Sequence, residues 1–409
     1  MEDLFSLSKQ QLRLLTRSYK RKFIKNDPFT ARMTILLGER GIGKSTSIAQ
    51  YLDALLFQGL SENDILYLPA DHFALGARPL YEIAEMFSLL GGKVICFDEI
   101  HKYLNWSQEL KSIYDSFPRL KVIASGSSAL IVQKGSHDLS RRAIVRKMYG
   151  FSFREYLEFK TQFSFPSYTL EDIIENHHQL AYYCIDQLHQ KSESTILALF
   201  YQYLKTGYYP YFAECANEEE FYSKLEQSAH ATIEVDIQSV YPSITGTSIK
   251  KIIKLLSILA QQVPFQPKMN KLIEVLDSTD ERTLKLYLTY LQDAGLIKTL
   301  SREGKGLSVL EKPEKIFFNN TNQVYGFGAN KTEIGTIRET YFLNALSAVH
   351  SVYYSLQGDF VAKDCTFEVG GKNKKFTQIK NASKSYLVVD NVEVGMGRKI
   401  PLWLFGFLY

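Results

Sequence analysis

The residues with the clearest chemical role form the run GERGIGKS, which follows an apolar stretch and precedes an amphipathic helical pattern. This run fulfils G-x-x-x-x-G-K-[ST] in the strand–loop–helix context that the motif requires. Its glycines let the backbone curl so that N–H groups point at a phosphate, beside a helix N-terminus that favours negative charge. The residues predicted to cradle nucleotide phosphates are Gly38, Glu39, Arg40, Gly41, Ile42, Gly43, Lys44, Ser45 and Thr46. Among them, Lys44 would reach the β- and γ-phosphates, and the Ser45 hydroxyl would ligate Mg²⁺.

An acidic pair supplies the second half of this chemistry. The apolar run Val94–Phe97 is typical of a buried strand and ends in Asp98 and Glu99. Asp98 is expected to hold Mg²⁺ through water, and Glu99 to polarise the attacking water. Two solvated acids at an exposed strand end are the alternative, but a phosphate loop earlier in the chain favours hydrolysis.

Serines follow the next apolar run, in LKVIASGSSAL. Ser125, Ser127 or Ser128 could orient the attacking water beside the γ-phosphate, as a sensor. Serines at a strand end are also ordinary turn formers, so both interpretations stay open.

The elements that must position these residues alternate along the chain. Residues 64–70 predict a further strand and residues 110–117 a helix between the strands already described. Such alternation predicts an α/β fold with a doubly wound parallel sheet, and ligands bind at the carboxyl ends of its strands. The sequence therefore predicts a nucleoside-triphosphate hydrolase core, an enzyme acting on acid anhydrides.

The bulk composition bounds the other function classes. The 409 residues suffice for two to four domains, and 45% hydrophobic with 22% charged residues is ordinary for a soluble globular protein. A net charge of +4 is too small to indicate nucleic acid by itself. Four scattered cysteines without a signal peptide favour reduced thiols and a cytoplasmic location. The apolar run IPLWLFGFLY is too short to span a membrane.

Three longer stretches carry a resemblance to a known family: FDEIHKYLNWSQELKSIYD, LKVIASGSSAL and DLSRRAIVRKMYGFSFREYL. They resemble bacterial and archaeal AAA-type P-loop ATPases with a C-terminal nuclease-like (PD-(D/E)xK-type) domain of unknown function. The resemblance implies an AAA-type core with a basic N-terminal helix at 1–165, a helical lid at 166–239 and a winged helix at 240–328. A small α+β, restriction-endonuclease-like domain would follow at 329–409. No residue pair in the sequence distinguishes ATP from GTP. ATP as the nucleotide is therefore implied by the resemblance alone.

The resemblance assigns further residues in the core and lid. Arg142 occupies the position of an arginine that follows the sensor strand in the family, where it could stabilise transition-state charge. A solvated or partner-binding basic loop is the alternative for this arginine. Gly207 and Pro210 match a glycine–proline segment after the core, which we interpret as a turn in the lid.

Residues 248–300 bear on a binding role. Two helical patterns precede a third helix, which Ser278 or Thr279 would cap and Gly295 would end. Winged helices often place such a third helix in the DNA major groove. Its face is mixed rather than basic, so DNA contact is not favoured. The polar residues of that face are Asp280, Glu281, Arg282, Lys285 and Gln292.

The stretch FEVGGKNKKFTQIK predicts a hairpin of two strands with its turn at Gly370 and Gly371. Relatives carry Glu-x-Lys on the second strand, an aspartate on the first and a glutamate on a preceding helix. The chain matches this pattern with Asp364, Lys380 and Glu339, and departs from it with Gln378. A neutral amide removes one negative metal ligand, so we expect a degenerate site with weak or no nuclease activity.

The sequence thus predicts a Mg²⁺-dependent ATPase whose hydrolysis moves the helical and winged-helix parts, acting on DNA or protein partners. A nucleotide-switched regulatory module with slow turnover is an alternative of a different class. An ATP-coupled nuclease is a third. Oligomers are common among AAA-type cores, and the sequence identifies no interface for one.

Overall fold

The computed structural model describes residues 1–26, 28–76, 78–127, 139, 141–241, 243–261, 269–276, 280–303, 312–328, 333–380 and 382–409. The chain forms two compact units, each made of two segments. Unit 1 comprises Met1–Tyr149 and Ala231–Ile244, and unit 2 comprises Gly150–His230 and Thr245–Tyr409. The three boundaries between the four domains expected from the sequence remain predictions.

Unit 1 is built on a five-stranded sheet with the order β2-β3-β4-β1-β5. Every pairing is parallel. The strands are β1 (Met33–Gly38), β2 (Ile65–Pro69), β3 (Val94–Asp98), β4 (Lys121–Ser127) and β5 (Ile144–Lys147). Because β1, β3 and β4 are parallel, the phosphate loop, the acidic pair and the serines leave the sheet at one edge. The predicted α/β fold with a parallel sheet is confirmed.

Helices accompany this sheet. They are α1 (Glu2–Leu15), α2 (Lys22–Lys25), α3 (Lys44–Phe57), α4 (Leu80–Leu89) and α5 (Trp106–Ser116). The central strands are buried along their length, which explains why they are continuous apolar runs rather than alternating ones. Leu66, Ile95 and Val122 belong to the core that they form with α1, α4 and α5.

Helices follow the sheet, as predicted. They are α6 (Phe153–Thr161), α7 (Leu170–His189), α8 (Ile196–Gln202), α9 (Glu218–Ala231), α10 (Ile237–Val240), α11 (Gly246–Ala260), α12 (Met269–Val275) and α13 (Glu281–Asp293). Two π-helical turns interrupt them, at Tyr203–Gly207 and at Thr232–Asp236. The second of these turns and α10 belong to unit 1.

The third helix of the expected winged helix begins at a different cap. Asp280 accepts a hydrogen bond from the Thr283 backbone N–H at 2.9 Å, whereas Ser278 and Thr279 lie outside the described residues. Gly295 adopts φ 73° after the helix, as predicted for its end. An antiparallel pair follows, β6 (Ile297–Leu300) with β7 (Lys315–Phe318).

The C-terminal part of unit 2 holds α14 (Thr321–Phe327), α15 (Ile334–Ser347) and a second five-stranded sheet. Its order is β12-β11-β10-β9-β8. The strands are β8 (Val352–Tyr354), β9 (Phe360–Ala362), β10 (Cys365–Gly371), β11 (Ser385–Asp390) and β12 (Lys399–Pro401).

The hairpin predicted at 367–380 is wrong. β10 ends at Gly371 but its next partner is β11, which runs parallel to it, while residues 376–380 form turns. The antiparallel partner is β9, on the N-terminal side, and the tight connection contains Lys363 at φ 53°. The reversal therefore occurs at a non-glycine left-handed residue, which carries no strong local signal.

Candidate functional site

The phosphate-binding loop has the backbone that its glycines predict. Gly41 and Gly43 adopt φ 83° and 89°, a region that L-residues rarely enter, and Gly43 is the N-cap of α3. A side chain on Gly38 would also lack room, because its Cβ would lie 2.6 Å from the Met148 carbonyl oxygen. The loop thus brings backbone close to the start of a helix, where anions bind.

Lys44 is buried within this loop. Its Nζ donates to the carbonyl oxygens of Gly38 and Glu39, at 3.0 and 2.9 Å. The same nitrogen lies 3.9 Å from Oε1 of Glu99. The ammonium group therefore lies between the loop and the acidic pair, where it could bind the phosphate oxygens of a nucleotide.

Asp98 is held by two hydroxyl groups. Ser125 Oγ and the Tyr67 hydroxyl both donate to its carboxylate. Burial and the neighbouring Asp98 charge raise the pKa of Tyr67, so this hydroxyl stays a donor. The Ser45 hydroxyl also interacts with Tyr67. The two predicted Mg²⁺ ligands therefore converge on one tyrosine that the sequence analysis missed.

Glu99 adopts a left-handed backbone with φ 53°. Its N–H donates to Ser125 Oγ at 3.1 Å, so one serine fixes both members of the acidic pair. Its carboxylate lies 4.0 Å from Lys102 Nζ and 3.6 Å from His101 Nε2. At 22% exposure the side chain lies at the rim of the site, where water can reach it.

Ser125 and Ser127 lie in the last part of β4, where they contact protein groups. Ser125 binds Asp98 and Glu99, as described above. The Ser127 backbone N–H donates to His101 Nδ1 at 3.4 Å. Ser128 lies outside the described residues. Orientation of an attacking water by these serines remains a prediction.

Arg142 is engaged elsewhere in unit 1. Its Nε and Nη2 donate to the two carboxylate oxygens of Asp115, at 2.8 and 2.9 Å. This bidentate pair lowers the pKa of Asp115. Arg142 therefore contacts α5. Its role as an arginine finger remains a prediction.

Arg21 supports the phosphate loop from the basic N-terminal part of the chain, outside the motif. Its guanidinium is buried and donates to the carbonyl oxygens of Ile42 and Tyr149, at 3.3 and 2.8 Å. No motif marks this role, since an arginine within a basic run is normally exposed.

The residues of the expected degenerate nuclease-like site are not gathered together. Asp364 is exposed and pairs with Lys384. Gln378 and Lys380 are exposed in the turns after β10. Glu339 lies on α15, where its carboxylate is 3.0 Å from Lys315 Nζ. The predicted grouping depended on the hairpin and is wrong with it.

A different group of charges surrounds Glu339 in unit 2. Lys315 Nζ is also 3.5 Å from Asp359, and Lys374 pairs with the buried Glu368. Burial and the neighbouring carboxylates raise the pKa of both Glu339 and Glu368. The sequence signal was available: with the turn placed at Lys363, β9 and β10 bring Asp359 and Glu368 close together.

Comparison with known proteins assigns the core. Residues 30–157 match the family model described as an AAA domain. This range contains the phosphate loop, the acidic pair and Arg142, so the match supports an AAA-type P-loop ATPase core. Residues 197–322 match a domain of unknown function, DUF8612.

Two curated relatives are uncharacterized. The chain is 30% identical over 247 residues to uncharacterized protein MJ1637 of Methanocaldococcus jannaschii, covering 58% of this chain and 50% of that protein. It is 29% identical over 132 residues to an uncharacterized protein of Haemophilus influenzae, covering 31% and 33% respectively. The matches thus span half or less of these relatives.

Three solved structures show low similarity to this chain. AMPPCP-bound DnaA from Aquifex aeolicus is 11% identical, with 71% of this chain and 88% of DnaA covered at a TM-score of 0.29. A RuvB variant from Thermotoga maritima is 14% identical, with 75% and 90% covered at 0.26. The S. cerevisiae Hsp104–ADP complex is 17% identical, with 69% and 42% covered at 0.25.

Other site classes receive no support within the described residues. No group of three or more His, Cys, Asp or Glu side chains there has the geometry of a metal site. No described helix is long and apolar enough to cross a membrane. All four cysteines lie in the described part of the chain and are free.

Proposed function

We propose that this chain binds ATP with Mg²⁺ at Gly38–Thr46 and hydrolyses it, with Glu99 polarising the attacking water. The observation that carries the proposal is the convergence of Lys44, Asp98 and Glu99 at one edge of the parallel sheet. Lys44 Nζ reaches to 3.9 Å from Glu99, and Asp98 is oriented by hydroxyl donors. An acid beside a phosphate loop is the arrangement that hydrolysis requires.

The residues present fit Mg²⁺. Ser45 and Asp98 both contact the Tyr67 hydroxyl, so a hydroxyl and a carboxylate oxygen lie close together, and Mg²⁺ prefers oxygen ligands. These two residues would hold the ion, with Ser125 keeping the carboxylate in place. When bound, the ion would neutralise charge on the phosphate oxygens.

Steady-state phosphate release from ATP tests the proposal. We expect Mg²⁺-dependent turnover in the wild type and a loss of about 100-fold or more in kcat for Glu99→Gln, with ATP binding retained. Lys44→Ala should weaken ATP binding itself. Asp53→Asn, an exposed carboxylate change on α3, is the matched control and should leave turnover unchanged. Turnover that survives Glu99→Gln would contradict the assignment.

A nucleotide-switched binding module is the second candidate. The observation that favours it is the set of cationic and imidazole groups around Glu99, which restrain the carboxylate that must act on water. Tight ATP binding with negligible turnover in the wild type, unaffected by Glu99→Gln, would select this alternative. Steady turnover abolished by that substitution would exclude it.

Movement of the helices after the core, and DNA or protein as partner, are the remaining parts of the proposal. On α13, the third helix of the proposed winged helix, Lys285 pairs with Glu281 at 2.8 Å. A cation that is already paired contributes less to phosphate binding, so we favour a protein partner. Salt-sensitive binding of duplex DNA that Lys285→Ala weakens would reverse that preference.

We also propose that the protein is cytoplasmic. Light scattering with and without ATP would determine its oligomeric state.

We further propose that the C-terminal part of unit 2 has weak or no nuclease activity. Lys315 and Lys374 each pair with a carboxylate of the buried group around Glu339, so protein cations lie beside these acids and would compete with a metal ion for them. Mg²⁺-dependent cleavage of plasmid DNA by the wild type, lost in Asp359→Ala, would show the opposite.

A further inference from the structure

A buried carboxylate from a distant part of the sequence lies beside the candidate catalytic pair in unit 1. Asp236 is the last residue of the π-helical turn Thr232–Asp236, and its side chain is fully buried at 0% exposure. Its Oδ1 lies 3.5 Å from His101 Nε2 and 4.0 Å from Arg40 Nη2. Within the described residues, neither oxygen makes a hydrogen bond of good geometry. Burying a carboxylate that is so loosely paired costs folding free energy, which makes a functional role for Asp236 worth considering.

His101 stands between two carboxylates. Its Nε2 lies 3.6 Å from Glu99 Oε2, almost the same distance as from Asp236. On the other side of the ring, Nδ1 accepts the Ser127 backbone N–H at 3.4 Å. A ring nitrogen that accepts a hydrogen bond carries no proton, so the neutral ring has its single N–H on Nε2. That N–H can serve only one of the two carboxylates at a time.

Each carboxylate also has other polar or charged neighbours. Burial raises the pKa of Asp236, but contacts with His101 and Ser127 and the charge of Arg40 together hold it below its ordinary value, which favours the anion that competes for the N–H. Glu99 has the ammonium groups of Lys44 and Lys102 at 3.9 and 4.0 Å. Arg40 and Lys44 belong to the phosphate loop, so a bound triphosphate would act on both sides of this balance.

We propose that Asp236 is a positioning residue for the ATP hydrolysis proposed above, on which this inference rests. By accepting the His101 Nε2–H, Asp236 leaves the Glu99 carboxylate free to accept a proton from the attacking water. Where Asp236 withdraws, the same N–H is donated to Glu99 and hydrolysis slows. The imidazole keeps its proton throughout and only changes its partner.

The proposal identifies the segment that connects hydrolysis to the rest of the chain. Residues 231–244 belong to unit 1, and the chain continues from them into unit 2 on both sides, through α9 and α11. A displacement of α9 or α11 would move Asp236. A change of hydrogen-bond partner at His101 would in turn alter the forces on these two helices. Coupling of this kind is reciprocal.

Enzyme kinetics on the full chain test the positioning role. Asp236→Asn keeps the shape but lowers the acceptor strength, so we expect kcat to fall about tenfold while the KM for ATP changes less than about threefold. Asp236→Glu should restore part of the loss, and the exposed Asp53→Asn should be silent. In a His101→Ala background, Asp236→Asn should have no further effect, because the shared partner is gone. Additive losses in the double variant would overturn the proposal, since they would indicate a merely structural role.

A measurement that does not depend on turnover separates this inference from the proposed function. With ¹⁵N-labelled histidine, the His101 Nε2–H resonance is identified by its absence in His101→Ala. We expect Asp236→Asn to displace that resonance in the nucleotide-free protein, and ATP with Mg²⁺ to shift it in the wild type but not in the variant. An unchanged resonance in Asp236→Asn would overturn the contact even in an active enzyme. A displaced resonance in a protein without turnover would support the contact while the hydrolysis proposal fails.

Discussion

Arg21 illustrates how a single buried side chain fixes the phosphate loop. One of its nitrogens donates to the carbonyl oxygens of Ile42 and Tyr149, on the loop and just after β5. Hydrogen bonds from a charged donor are stronger than neutral ones, and a buried carbonyl left without a donor is costly. The loop's conformation therefore depends on a residue outside its own motif.

Replacing Arg21 should affect nucleotide binding more than its distance in sequence suggests. Arg21→Ala removes the donor for both carbonyls, so we expect ATP affinity to fall about tenfold and the free energy of unfolding to fall by about 2–3 kcal/mol. Fluorescent-nucleotide titration and denaturant unfolding measure the two effects. Arg13→Ala, an exposed change on α1, should alter neither. Equal affinities for Arg21→Ala and the wild type would show that the loop is held by other contacts.

Glu368 gives a prediction with a definite sign in pH. Burial is the main cause that raises its pKa above the ordinary value of 4.5, despite the pairing with Lys374. The unfolded chain therefore loses this proton first, so the stability contributed by protonated Glu368 is full below pH 4.5 and is lost as pH rises through the folded pKa. The difference in free energy of unfolding between Glu368→Gln and the wild type should therefore shift in favour of the variant as pH rises from 4 to 8, as measured by urea unfolding. A relative loss over that range would mean that the ion pair outweighs the burial.

At the scale of elements, a side chain in α14 stabilises the first π-helical turn. Asn322 is buried, donates to the carbonyl oxygens of Tyr203 and Leu204 at 3.2 and 2.9 Å, and accepts the Tyr208 N–H at 2.9 Å. We expect Asn322→Ala to destabilise the protein by about 2–3 kcal/mol, because three buried backbone groups lose their partner. Asn373→Ala, in an exposed turn, is the control for denaturant unfolding. A loss below that of an ordinary exposed substitution would show that water replaces the amide.

The elements also show what the sequence could and could not predict. The phosphate loop and the acidic pair were predicted because their signals are local: a motif, an apolar run and a strand end. Asp236 and His101 are separated by 135 positions (236 minus 101), and nothing near either residue indicates the other. The C-terminal hairpin was misplaced because two glycines suggested the turn, whereas the chain reverses at Lys363 in a left-handed conformation. Local chemistry was therefore predictable, and contacts made by the folded chain were not.

At the scale of the molecule, unit 1, which contains the phosphate loop, is discontinuous in sequence. Ile233 and Ile237, from the second segment, are buried, and Ile237–Val240 packs against Ile100–Lys102 directly after the acidic pair. The second segment thus supplies buried apolar side chains to unit 1 as well as Asp236. Burial of an isoleucine side chain contributes about 1.5–3 kcal/mol, which is a large share of the stability of a typical domain.

A fragment of residues 1–149 should therefore be less stable and bind ATP more weakly than one that includes the second segment. We expect it to unfold at a lower urea concentration than the same fragment joined through a flexible linker to residues 231–244, because the fusion restores the buried isoleucines. A fusion carrying Ile233→Ser and Ile237→Ser has the same length and should behave like the short fragment. ATP binding should follow the same order, since the segment packs beside Glu99 and His101. If the short fragment matched the intact fusion in both measurements, the second segment would not contribute to the stability of unit 1 or to ATP binding. A conformational change caused by hydrolysis could then not be transmitted through this segment.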